Sequence, residues 1–194
     1  MRVFTKTSLG TLILAAALST QLTACVPVIV GGAAVGGSMA ADRRTSGTYI
    51  EDQAIELKAS KAIADSLKEK VHANLTSFNR QLLITGEVSD EANKKKAESL
   101  VKPIENVLSI HNYLAIGPNS SLSTRTNDAY ITSKVKANFI KENKFSANYV
   151  KVVTESGSVY LLGLVTHKEA DDAVEIARSI GGVKTVVKVF EYID

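Results

Sequence analysis

Residues 46–194 carry one apolar pattern twice, offset by about 76 positions, and a chain that repeats itself at such a period folds as repeated units. Asp52 and Ile55 in the first half recur as Asp128 and Ile131, and each pair is expected to open a helix. Leu82-Leu83-Ile84-Thr85-Gly86-Glu87-Val88 aligns with Val159-Tyr160-Leu161-Leu162-Gly163-Leu164-Val165 after a one-residue shift, so each copy has an apolar strand with one glycine. Ile104, Val107, Ile110, Leu114 and Ile116 return as Ile180, Val183, Val186, Phe190 and Tyr192 at unchanged spacing. That agreement in register argues for duplication.

Between the copies, residues 117–125 open with Gly-Pro-Asn-Ser-Ser, the composition of a linker. The domains are therefore placed at 46–116 and 126–194. Within each, the first helix shows a stripe at helical spacing: Ile55, Ala59, Ala62 and Ile63 in one copy, Ile131, Val135 and Phe139 in the other. A hairpin follows, clearest where Val150, Val152 and Thr154 alternate up to a turn at Glu155-Ser156-Gly157. Gly86 and Gly163 mark a bulge or a close backbone approach. Second helices near 90–101 and 168–180 return the chain to a last strand, in a crossover expected to be right-handed. The predicted class is α+β, two tandem αββαβ sandwich domains, each a three-stranded mixed sheet packed with two helices. Domains of about 70 residues bury little core alone, so the copies should support each other through an interface.

The region before the repeat reads differently. Arg2 and Lys6 precede a short apolar run from Leu9 to Leu18, which has the form of an export signal and is too short for a stable span. It closes on Leu22-Thr23-Ala24-Cys25, which resembles the lipobox of bacterial lipoproteins, in which the chain is cut before the cysteine and the sulfur is acylated. Cys25 is the only cysteine of the chain, so it can form no internal disulfide. Residues 1–24 are thus expected as signal peptide. Val26 matches the outer-membrane pattern, an Asp there being the inner-membrane retention signal of such lipoproteins. Residues 25–45 then form an acylated, glycine-rich tether. Gly32 and Gly36 stand in a close-packing spacing, but Pro27 and an uncharged run of only 26–41 leave too little for a second span.

Composition removes other classes. The net charge of +3 is mild and its lysines form no long stripe, which argues against nucleic acid as a partner. His72, His111 and His167 have no metal-ligand spacing, and no serine lies in a nucleophile elbow. No catalytic residue, metal or cofactor is assigned. Glu169, Asp171, Asp172 and Glu175 are expected on the exposed face of a helix.

The aspartate-to-isoleucine helix opening, the strand with its glycine, and the closing element from Gly182-Val183 to Phe190 together resemble the BON domain of bacterial envelope proteins. With the lipobox and tether, the chain is similar to dual-BON-domain outer-membrane lipoproteins. The resemblance implies a non-catalytic protein, lipid-anchored in the outer membrane and facing the periplasm, that supports outer-membrane integrity. It also implies contact with anionic phospholipid through the first helix of the second domain. Glu105-Asn106 replaces Gly181-Gly182 in the first copy, a departure from the shared pattern.

With Ile131, Val135 and Phe139 inward, a turn of about 100° per residue directs Tyr130, Ser133, Ala137, Ile140 and Lys144 outward, flanked by Lys134, Lys136 and Lys141. An aromatic and an isoleucine among lysines suit a phospholipid headgroup layer. The segment 128–144 has four lysines against two acids, and the segment 52–70 four against four, so the second copy is the one expected at an anionic surface. Two other readings stand beside this one. The lysines could form a solvated face with Tyr130 packed on the other domain, or the paired domains could be an adaptor for an outer-membrane assembly or cell-division complex.

Overall fold

The computed structural model describes residues 42–194; the export signal, Cys25 and residues 26–41 of the tether lie outside the described residues. The first repeat runs α1 (Ser46–Leu67), a 3-10 turn (Lys68–Lys70), β1 (Val71–Phe78), β2 (Gln81–Val88), α2 (Glu91–Val101), β3 (Ser109–Asn112) and a short β4 (Ala115–Ile116). The second runs α3 (Leu122–Glu142), a 3-10 turn (Ala147–Tyr149), β5 (Val150–Glu155), β6 (Ser158–Val165), α4 (His167–Arg178) and β7 (Thr185–Tyr192). In each, an antiparallel hairpin is followed by a helical crossover to a strand parallel to the central one. The sheets have the orders β1-β2-β3, with β4 also on β2, and β5-β6-β7. The fold is α+β, two tandem αββαβ units.

The repeated aspartates do not open their helices. Helix α1 starts at Ser46 and α3 at Leu122, six residues earlier in each copy, because Thr45 and Ser121 are the N-caps and accept from the amides of Thr48 and Thr124. Leu122 through Arg125, read from sequence as linker, are therefore helical. Asp52 and Asp128 sit in the second turn, buried, and serve the hairpins instead. Asp52 accepts from the amides of Asn79 and Arg80 at 2.9 and 2.7 Å, and Asp128 from those of Ser156 and Gly157, both at 2.8 Å. These are the two central residues of each hairpin turn, all with positive φ, the turn whose twist matches paired strands. The aspartate satisfies amides that the turn turns inward.

Gly86 and Gly163 answer to close approach, since the β1–β2 and β5–β6 registers run without a bulge. A Cβ on Gly86, where φ is +113°, would collide with the carbonyl oxygen of His72, and one on Gly163 would stand 2.5 Å from that of Tyr149. The change from Gly182 to Asn106 is milder than it looks. Both residues have positive φ, and asparagine tolerates that region better than most side chains.

Three apolar clusters give the layering. Ile55, Ala59, Ile63 and Leu67 of α1 cover Leu82, Ile84 and Val88, while Ile131, Val135 and Phe139 of α3 cover Val152, Val159 and Leu161. The third cluster joins the repeats: Phe78 and Leu83 of the first pack with Tyr160, Leu162, Leu164 and Val189 of the second. Strand alternation explains it, because the central strands are apolar on both faces. One face meets helices and the other meets the opposite sheet, giving helix, sheet, sheet, helix. Lys151 adds an ion pair to Glu56 at 2.9 Å and Asn79 a bond to Glu191 at 2.7 Å across the same junction.

At one end of this junction Glu87 and Glu155 are both buried, with Asn74 donating to Glu155 at 2.8 Å and His72 against Glu87 at 3.1 Å. Burial, helped by the charges of Glu87 and Asp128, raises the Glu155 pKa despite the Asn74 bond and the nearby His72. The folded state then takes a proton more readily than the unfolded chain. The cost of an ionised Glu155 is complete above its folded pKa and is relieved as pH falls through it. Glu155→Gln is accordingly expected to raise the melting temperature at pH 7 and flatten its slope just above the ordinary glutamate range. A thermal scan against pH checks this, and a variant melting at or below wild type at pH 7 would contradict it.

Candidate functional site

The outer side of α3 is built by the same periodicity that buries its inner side. Ile131, Val135 and Phe139 are at most 1% exposed, with Phe139 set edge-on to Phe145 at 5.0 Å beyond the helix end. This fixes the rotation of the helix. Tyr130 and Ile140 are left 58% and 69% exposed, and Ser133, Lys134, Lys136, Ala137 and Lys141 are exposed with them. Tyr130 is not buried against the other domain. Its ring instead carries the Lys134 ammonium at 4.6 Å from the centroid, a cation–π contact that leaves both at the surface. Ser133 spends its hydroxyl on the Ala129 carbonyl.

Lys136 and Lys141 have no ion-pair partner among the described residues. Lys144 differs. The helix ends at Glu142, Asn143 takes the left-handed cap, and Lys144 reaches Glu175 at 3.2 Å and Asp172 at 3.5 Å on α4. These acids raise its pKa and hold it to the α3–α4 contact.

Two residues join the face that sequence reading assigned to a linker. Leu122 is 80% exposed and shares a shallow groove with Ser123, Thr126, Asn127 and Tyr130. Arg125, one turn along, is exposed and donates Nε to Ser120. The signal for both was present in Ser121-Leu122-Ser123-Thr124, a hydroxyl N-cap pattern overshadowed by the Gly-Pro before it.

With true boundaries, the charge contrast between the first helices widens. Helix α3 has Arg125, Lys134, Lys136 and Lys141 against Asp128 and Glu142, four less two, a net of +2. Helix α1 has Lys58 and Lys61 against Glu51, Asp52, Glu56 and Asp65, two less four, a net of −2. Asp128 is also buried on the hairpin amides, which leaves Glu142 as the one exposed acid of α3 among the described residues. Apolar exposure is common to both helices, since α1 shows Ile50 at 66% and Leu57 at 73%. Charge separates them.

His111, His167 and the α4 acids are committed elsewhere. His111 lies between Ser109 and Gln81 and burial lowers its pKa; His167 stacks on Tyr192 and meets Asp194 at 2.7 Å. Of the α4 acids expected at the surface, Glu169 completes a capping box with Thr166 and Asp172 takes Lys144 and Lys168. No group of three or more His, Cys, Asp or Glu that could hold a metal occurs among the described residues.

The BON domain family model matches twice, at residues 51–118 and 127–194. The chain is 37% identical over 175 residues to the outer membrane lipoprotein DolP of Haemophilus influenzae, covering 89% of this chain and 91% of that one. It is 30% identical over 154 residues to a 21 kDa hemolysin of Actinobacillus pleuropneumoniae, covering 78% and 79%. To the osmotically-inducible protein Y of Escherichia coli it is 28% identical over 144 residues, covering 72% of each.

Proposed function

The chain belongs to the BON domain family, as a two-domain outer-membrane lipoprotein, and we propose that it binds anionic phospholipid through the outer face of α3 and so supports outer-membrane integrity. In this reading Cys25 carries the acyl anchor and the protein is not an enzyme. The observation that carries the reading is the pairing of exposed Tyr130 and Ile140 with unpaired lysines on a helix of net +2. Apolar groups enter the headgroup boundary while ammonium groups meet phosphate.

Each lysine near an anionic surface contributes about 1 kcal/mol, so a few of them give only weak binding to a free protein. A multiply acylated anchor, at roughly 0.8 kcal/mol per buried methylene, holds the domain beside the bilayer, and the weak contact is then occupied. Binding of α3 works as a local preference for anionic lipid rather than as the anchor itself.

Replacing Lys134, Lys136 and Lys141 by Gln in the mature chain with Cys25→Ser should lower affinity for phosphatidylglycerol vesicles by about 3 kcal/mol, roughly a hundredfold, at low salt. Co-sedimentation against neutral phosphatidylcholine vesicles provides the reference. Undiminished binding by the triple variant would remove the electrostatic part of the reading. A second reading draws on α1: Ile50 and Leu57 stand exposed on a helix of net −2, which an anionic membrane repels, and this face suits an adaptor contact with an envelope protein.

A further inference from the structure

The three residues that lead from the tether into α1 are bound to both repeats. Arg43 forks onto Glu169 of α4 at 2.7 and 2.8 Å, donates to the Leu164 carbonyl at 2.9 Å, and lies 3.7 Å over the Tyr149 ring. All three partners belong to the second repeat. Arg44 turns the other way, to buried Asp52 at 2.8 Å and to Asp42 at 2.7 Å, with its guanidinium 4.0 Å over Phe78. Phe78 is itself part of the cluster between the sheets. A planar, bidentate, ring-stacked arginine is among the stronger and more directional polar contacts a protein makes. Here two successive arginines face opposite domains.

The second repeat has no such residue of its own. Asp128, the counterpart of Asp52, accepts from the backbone amides of Ser156 and Gly157 and has no ion pair among the described residues. The arginine pair is therefore an addition to the repeat pattern, placed where the tether enters the body. Glu169 has its carboxylate between Arg43 and the Thr166 amide, and the arginine holds its pKa down.

We infer that Asp42-Arg43-Arg44 is a strap that locks the two repeats at one angle and fixes where the tether leaves the body, Arg43 and Arg44 acting as positioning residues for the α3 face. The positioning half rests on the lipid reading of α3. The locking half does not. Tyr149 follows the end of α3 by seven residues and Glu169 lies in the first turn of α4, so the strap grips the second repeat beside the helix whose orientation matters.

The test uses the full acylated chain in nanodiscs containing phosphatidylglycerol, with spin labels at Lys95→Cys on α2 and Arg178→Cys on α4, both exposed. Wild type should give one narrow distance distribution between the labels. Arg43→Glu, which sets two carboxylates face to face, should broaden it severalfold, and Arg43→Lys, which keeps the charge without the fork, should fall between. An unbroadened distribution in Arg43→Glu, with near-UV circular dichroism unchanged, overturns the lock. Hydrogen exchange of α3 in the same discs reads the second half: lipid-dependent protection should drop severalfold in Arg43→Glu and recover in Arg43→Lys. Broadened distances with α3 protection intact overturn the positioning role. Absence of lipid-dependent protection in wild type overturns the lipid reading and the positioning half with it, while the distances still decide the lock.

Discussion

Asp52→Ala is expected to cost the folded body about 3–5 kcal/mol, the range found when one partner of a buried charge pair is removed. The carboxylate accepts from Arg44, the Ser77 hydroxyl and the amides of Asn79 and Arg80. Alanine leaves Arg44 with Asp42 alone and strips two turn amides of their acceptor. Each orphaned donor adds about 1–3 kcal/mol where water cannot replace the bond. For a body of this size the melting temperature should fall by roughly 10 °C. Asp128→Ala removes two amide bonds and no ion pair, and the smaller loss should follow. Calorimetry of the two variants orders them, and equal losses would mean that the Arg44 pair adds nothing.

The second large effect concerns binding. Tyr130→Glu with Ile140→Glu removes the two apolar side chains proposed to enter the headgroup layer and puts anions in their place. Burying an isoleucine contributes about 1.5–3 kcal/mol, and each new anion at an anionic surface costs about 1 kcal/mol. Together the changes exceed about 4 kcal/mol, close to a thousandfold in affinity for phosphatidylglycerol vesicles. Both residues are exposed, so folding should not suffer. Vesicle flotation of the double variant, with its melting curve alongside, separates lost binding from lost structure, and retained flotation would count against this face.

The repeat, the strand glycines and the buried stripes of both long helices were legible because each follows from periodicity. Apolar residues at helical spacing have one place to go, and a strand apolar on both faces, such as Leu82 to Ile84, implies two covering layers. The helix starts were misread because the aspartate is the most visible repeated polar residue, while the shared hydroxyl caps, Thr45 with Thr48 and Ser121 with Thr124, lie among other serines and threonines. Nothing local says that Asp52 reaches a turn 27 residues on. The strap was illegible for the same reason: Arg43 meets Glu169 across 126 positions, and in sequence the arginine pair is two more cations before a helix. The outer face of α3 was legible from helix arithmetic as far as Tyr130. Its extension to Leu122 was hidden by the Gly-Pro that marks the linker.

The lipid-binding role of α3 is tested most directly by an NMR titration of residues 42–194, which retain the strap, with bicelles of neutral lipid and with bicelles containing phosphatidylglycerol. Shifts should be confined to residues 122–141, present only with the anionic lipid and lost in Ile140→Glu. Equal shifts with neutral bicelles, shifts centred on α1 around Ile50 and Leu57, or none at matched lipid concentration would contradict that role.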